Sequence, residues 1–184
     1  MNYFLAQALN NQWANHRLLN ACAQLSETEY EAQRTGFFPS IQSTLCHILE
    51  VDRYYLTALE GDRDGQIKDF SEILPFAQLT QNQAKTDQRL VAFCESLRDK
   101  DLARCVELVR VDGVVHERID RLLLHLFEHQ IHHRGQVHSM LSGTGIQPPQ
   151  LDEFFLDCDR TFRQKEEQQL QLNEGTVWRD YRPD

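Results

Sequence analysis

Four of the chain's eight histidines, His125, His129, His132 and His133, fall within nine residues. Imidazole is the commonest protein metal ligand. Two histidines at i and i+4 lie one above the other on a helix face and can share one ion. The segment offers two such pairs, His125/His129 and His129/His133. Advancing about 100° per residue from His129 puts His133 at about 40°, inside the sector that holds Leu122, Leu126, Ile119, Val137 and Met140. His129 lies at the edge of that sector. His125 and His132 fall at about −40° and −60°, beside Arg121 and Glu128 on the polar side. The inward pair is therefore His129 and His133.

A third ligand must come from another element. His47 sits at the edge of an apolar face made by Thr44, Val51, Tyr54 and Ala58, at spacings of three and four. Facing helices of a bundle are a common source of such ligand sets. Three neutral imidazoles leave coordination positions open for water or substrate. Such an ion can lower the pKa of bound water or hold a thiol as the reactive thiolate. An inward histidine is also compatible with a plain core residue, so the pattern leaves a helical dimer with histidines in its core as a rival reading. Cys46 is a candidate soft ligand, and Gln12, His16, Glu50, Tyr54 and Tyr55 are candidate site residues. Gln136, at about −20° on the wheel, is close enough to support a histidine. Arg134 is expected on the helix surface.

The elements that must position these residues are helical. Apolar residues recur with helical rhythm over 2–25. A loop over Thr35–Ser40 contains Gly36 and Pro39, and Ser40 is the candidate cap of a second helix over 41–60. A long irregular connection spans 61–79. A third helix is expected over 80–98, capped by Thr80, with Leu90, Phe93 and Leu97 inward. The valine-rich stretch Arg104–Glu117 turns at Asp112-Gly113 and reads as a short β-hairpin. A histidine-bearing helix follows over 118–142, then a turn over 143–149. A last helix over 150–172 should bury Phe154, Phe155, Cys158 and Phe162. The expected organisation is one helical domain, 1–172, and a tail, 173–184, whose Trp178 and Tyr181 can pack on the bundle or on a partner.

Bulk composition limits the function. The net charge is −9, with no basic stripe, which argues against direct nucleic-acid binding. Five cysteines, odd in number and widely spaced, read as reduced core thiols rather than a disulfide framework. The first residues lack a basic region followed by a long apolar run, and no stretch approaches a membrane span. A soluble cytoplasmic protein is expected, with no membrane partner.

Trp13-Ala14-Asn15, Leu45-Cys46-His47-Ile48-Leu49, the run from His129 to Gln136 (HQIHHRGQ), and Pro148-Pro149 with Asp152 together resemble the DinB-like (YfiT-like) family of bacterial helical-bundle proteins. The resemblance spans roughly residues 2–160. It implies an all-α fold, an up-down-down-up four-helix bundle, to which the chain's own pattern adds an extra C-terminal helix and the short hairpin. It also implies a homodimer, and a metal triad on His47, His129 and His133 that holds a divalent ion, zinc or nickel. Several members are thiol-dependent S-transferases or isomerases. The expected function is thus metal-dependent transfer of a low-molecular-weight thiol to a small-molecule substrate. The alternatives are a metal-dependent hydrolase and a non-catalytic metal-binding stress or structural protein.

Overall fold

The computed structural model describes residues 3–67, 72–172 and 174–178. Four long helices form the body: α1 (Tyr3–Cys22), α3 (Ile41–Leu59), α4 (Phe76–Ser96) and α5 (Ile119–Leu141), with a single-turn α2 (Glu27–Glu31) between the first two. Each long helix packs on two others, in the ring α1–α4–α3–α5. Directions follow from which residues meet. Asp52 meets Gln83 and Glu60 meets Arg89, so α3 and α4 run parallel. His47 meets His129, Asp52 meets Gln130 and Tyr55 meets His125, so α3 and α5 run antiparallel. The fold is the expected up-down-down-up bundle. Parallel neighbours need a return along the whole bundle, which is why residues 60–75 form a long connection; residues 68–71 of it lie outside the described residues.

Local chemistry sets the boundaries. Ser40 caps α3 as expected, its hydroxyl accepting from the Ser43 amide at 3.1 Å. Gly61, at φ +79°, ends that helix in a backbone conformation side chains rarely adopt. The third long helix begins at Phe76 rather than at residue 80. Pro75 stands at its N-cap, and the Thr80 hydroxyl, expected to cap, instead donates to the Phe76 carbonyl at 2.8 Å within the first turn. The α2 turn was not expected, although Ser26 and Glu29 form a reciprocal capping box.

The hairpin pairs β1 (Cys105–Arg110) with β2 (Gly113–Arg118) in antiparallel register, with Leu108 opposite Val115. The turn residues are Val111 and Asp112, and Gly113 opens β2 at φ +128°. Buried Leu108 ties the hairpin to the core near α3 and α5.

The last expected helix starts late. Residues 150–156 are not helical; a short 3-10 turn, Asp157–Asp159, leads into α6 (Arg160–Leu170), and a final turn, α7, spans Glu174–Val177. Phe155 takes φ +44° and stacks on Trp13 with ring centroids 5.2 Å apart. That contact replaces helix continuation. Phe154 and Phe155 are inward as expected. Cys158 and Phe162 are exposed, Phe162 at 77%, and Arg163 takes the buried position, donating to the Leu156 carbonyl and to Glu167. Trp178 packs on Phe154 of its own chain, and Tyr181 lies outside the described residues.

Cys22, Cys46 and Cys94 are core thiols as expected, and burial pushes Cys22 and Cys94 up to about 12. Cys105 and Cys158 are exposed instead. Among the described residues no helix is long and apolar enough to cross a membrane.

Candidate metal centre

The apolar core divides into two clusters. One holds Leu5–Trp13 of α1, Tyr55–Leu59 of α3, Leu90 and Cys94 of α4 and Ile119–Phe127 of α5; the other holds Leu18–Cys22, Ile41–Leu49, Leu79 and Val137–Leu141. Between them every long helix contributes buried polar residues: Asn11 and Asn15, Asp52, Gln83 and Asp87, Gln130 and Arg134. The histidine triad lies at this same level of α3 and α5.

Asp52 accepts from Gln83 Nε2 at 2.8 Å and from Gln130 Nε2. Asp87 accepts from Asn15 Nδ2 at 2.9 Å and Gln83 Nε2 at 3.0 Å. Arg134 donates to Asn11, to Asn15 at 3.1 Å and to Gln130 at 2.9 Å. Arg134 is thus buried, not on the helix surface as expected from the wheel. Three other helices supply partners that let a guanidinium leave water. Burial, reinforced by Asp87, pushes the Asp52 carboxyl up to about 7, and burial pushes Asp87 up to about 6.

The structure brings His47, His129 and His133 together. Their candidate ligand atoms all lie within 4.8 Å of one another, close enough for one ion, and this is the one such group of three or more His, Cys, Asp or Glu among the described residues. His47 Nε2 is 3.1 Å from His129 Nε2. His133 is buried, and the other two are half-buried. His125 and His132 are exposed, as the wheel expected.

The donor set fits a divalent cation. Burial, then crowding by His133 and His47, drives His129 down to about 3; burial also lowers His47 and His133. Neutral imidazoles are what a metal requires. Gln136 performs the expected support: its Oε1 lies 2.8 Å from His133 Nδ1, so that nitrogen donates and Nε2 keeps its lone pair for the centre. Glu50 stands 3.7 Å from His47 Nδ1, on the side away from His129. His129 Nδ1 is buried without a partner.

The other candidates lie elsewhere. Cys46 Sγ accepts from the Leu74 amide at 3.3 Å. His16 lies 3.2 Å from Gln169 on the α6 side. The Tyr54 hydroxyl donates to the Val109 carbonyl, and the Tyr55 hydroxyl accepts from Arg110. Phe38 was missed. Its ring lies 4.4 Å from that of His47 and 5.6 Å from that of His133. A loop aromatic has no periodicity to betray it. The loop is tight: a Cβ on Gly36 would sit 2.5 Å from Met140 Cε and 3.0 Å from the Phe38 carbonyl oxygen.

The depressed histidines give metal-free protein a signed pH dependence. Unfolded imidazole titrates at about 6.5, whereas folded His129 titrates at about 3. Between these values the unfolded chain binds the extra proton, so this contribution to stability is complete above about pH 6.5 and is lost as pH falls. Melting curves of metal-free parent and His129→Ala from pH 4 to 8 should show the parent losing more melting temperature on acidification. Parallel curves would contradict the assigned burial of His129.

The DinB family model matches residues 1–169. Protein DinB of Bacillus subtilis strain 168 is 22% identical over 143 residues, covering 73% of this chain and 82% of that protein. The uncharacterized protein YizA of the same organism is 33% identical over 121 residues, covering 63% and 72%. The crystal structure of a DinB-like protein from Bacillus cereus ATCC 10987 superposes with a TM-score of 0.57 at 16% identity, covering 75% of this chain and 90% of that one, which shows a shared fold. With the family model covering nearly its whole length and the bundle matching, the chain belongs to the DinB family.

Proposed function

We propose that His47, His129 and His133 hold one divalent ion, zinc or nickel, and that the protein transfers a low-molecular-weight thiol to a small electrophile. The observation that carries this reading is the convergence of three neutral imidazoles from two helices with no carboxylate in the group. An all-imidazole set of three leaves open positions, the mark of catalytic rather than structural sites. When bound, such an ion lowers the pKa of a coordinated thiol, so that sulfur attacks as thiolate.

The chain's own residues do the rest. Gln136 keeps the His133 proton on Nδ1. Phe38 covers the His47 and His133 rings and keeps water from that side. In the transfer a sulfur–carbon bond forms, the bond from carbon to its leaving group breaks, and the thiol proton leaves to solvent. Hydrolysis is less well served, because metal hydrolases often pair the ion with a carboxylate base. The proposed setting is the cytoplasm, where buried free thiols such as Cys22 and Cys94 stay reduced. A homodimer is the proposed assembly; exposed Leu124 and Ile131, seven residues apart on α5, suit a helix-to-helix contact.

The test is metal content by mass spectrometry of untagged protein, followed by turnover of a model electrophile with and without thiols. Near one equivalent of metal with thiol-dependent consumption is expected. A full complement of metal with no consumption for any cellular thiol would overturn the transferase reading.

A further inference from the structure

A line of rings leads away from the triad toward the hairpin. His129 faces His125 with ring centroids 6.4 Å apart, His125 meets Tyr55 at 5.2 Å, and Tyr55 meets Tyr54 at 5.1 Å. Arg110 closes the line. Its guanidinium carbon lies 5.2 Å from the Tyr54 ring centroid and 5.6 Å from that of Tyr55, and Nη2 donates to the Tyr55 hydroxyl at 3.2 Å.

Arg110 is exposed yet held in place. Side chains alternate along β1, so Arg110 shares the face of buried Leu108 that packs toward α3, while Glu107 points to the opposite face. There Glu107 meets Arg63 and His116. The strand itself is pinned. Tyr54 donates to the Val109 carbonyl at 2.8 Å, and Gln66 both donates to the Glu107 carbonyl and accepts from the Val109 amide. Among the described residues no ion pair to a carboxylate is found for Arg110, although the chain carries a net charge of −9. The groups that hold its pKa up are the Tyr55 and Tyr54 side chains, not an acid. A guanidinium ordered in advance by two rings has lost much of the rotamer entropy that binding would otherwise cost. Its planar donor fork matches a carboxylate.

We propose that Arg110 binds the carboxylate of the molecule whose sulfur occupies the triad, so that the thiol substrate is an elongated, anionic low-molecular-weight thiol. This rests on the metal–thiol reading above.

The probes are ω-mercaptoalkanoic acids of increasing length and the matched ω-mercaptoalcohols, titrated into cobalt-loaded protein. The sulfur-to-cobalt charge-transfer absorbance reports binding, and metal content is measured on the same samples. At the length that spans the two sites the acid should bind about tenfold more tightly than the alcohol, as one charge-assisted contact allows. Arg110→Gln, which removes the charge and the donor fork, should erase that preference while metal content and alcohol affinity stay unchanged. Arg110→Lys should keep part of it. Equal binding of acid and alcohol at every length, or a preference that survives Arg110→Gln, overturns the assignment of Arg110 and leaves the metal–thiol reading standing. Absence of cobalt binding, or of any thiol band, overturns that reading and this proposal together.

Discussion

Replacing His129 and His133 together by alanine is expected to abolish stoichiometric metal binding and to remove the metal-dependent part of the protein's thermal stability. Both histidines sit one turn apart on α5, with ring centroids 4.4 Å apart, and both face His47 across the interface with α3. Removing them leaves one imidazole, which cannot hold a divalent ion against water. A ligand that binds only the folded state adds stability that grows with its concentration over Kd, about 4 kcal/mol at a thousandfold excess. In a chain of 184 residues each kcal/mol is worth roughly 2–4 °C in melting temperature. The parent should therefore melt roughly 10 °C lower after chelation. The double variant should show no change on chelation and should match the chelated parent within a few degrees, since His129 and His133 carry little of the apolar core. Metal content and paired melting curves check this. A variant that still binds one equivalent would mean the ion lies elsewhere.

Arg134→Met is expected to cost roughly 3–5 kcal/mol, because it strips the cation from a buried network without removing its partners. Asn11, Asn15 and Gln130 would each lose a donor, and Asp52 and Asp87 would keep the same interior with nothing positive facing them. Urea denaturation near neutral pH measures the loss; a change under about 1 kcal/mol would contradict the burial of Arg134. Asp52→Asn separates charge from shape in the same network. Folded Asp52 titrates at about 7 against an ordinary carboxylate value near 4, so the folded state holds the extra proton between them. Its contribution is complete below about pH 4 and is lost as pH rises through about 7. The variant carries no such loss. Its stability relative to the parent should therefore climb from about pH 5 to pH 8, and a difference independent of pH would show that Asp52 is already ionised in the fold.

What could be read from the chain alone was set by short-range geometry. The angular position of each residue on a helix is fixed by 3.6 residues per turn, so the wheel alone puts His129 and His133 on the side of the apolar sector and His125 and His132 on the polar side, where the structure leaves them exposed. The Gln136 contact to His133, three residues away on the same helix, was legible for the same reason. The Ser40 cap and the existence of the hairpin follow from local backbone chemistry, although its two-residue turn falls on Val111-Asp112, one residue before the expected Asp112-Gly113. Tertiary structure decided everything that needed a second element. His47 reaches His129 because α3 and α5 run antiparallel in one register. Phe38 reaches the site because a tight loop folds over it. Arg134 is a charged residue whose burial depends on partners from α1 and on acids from α3 and α4, none of them near it in sequence. Phe155 breaks the last helix because Trp13, far away in the chain, offers a better place for its ring. The physical division is simple. Periodicity and capping are properties of a few successive residues, whereas the desolvation and pairing of a side chain are settled by whatever the rest of the fold brings against it.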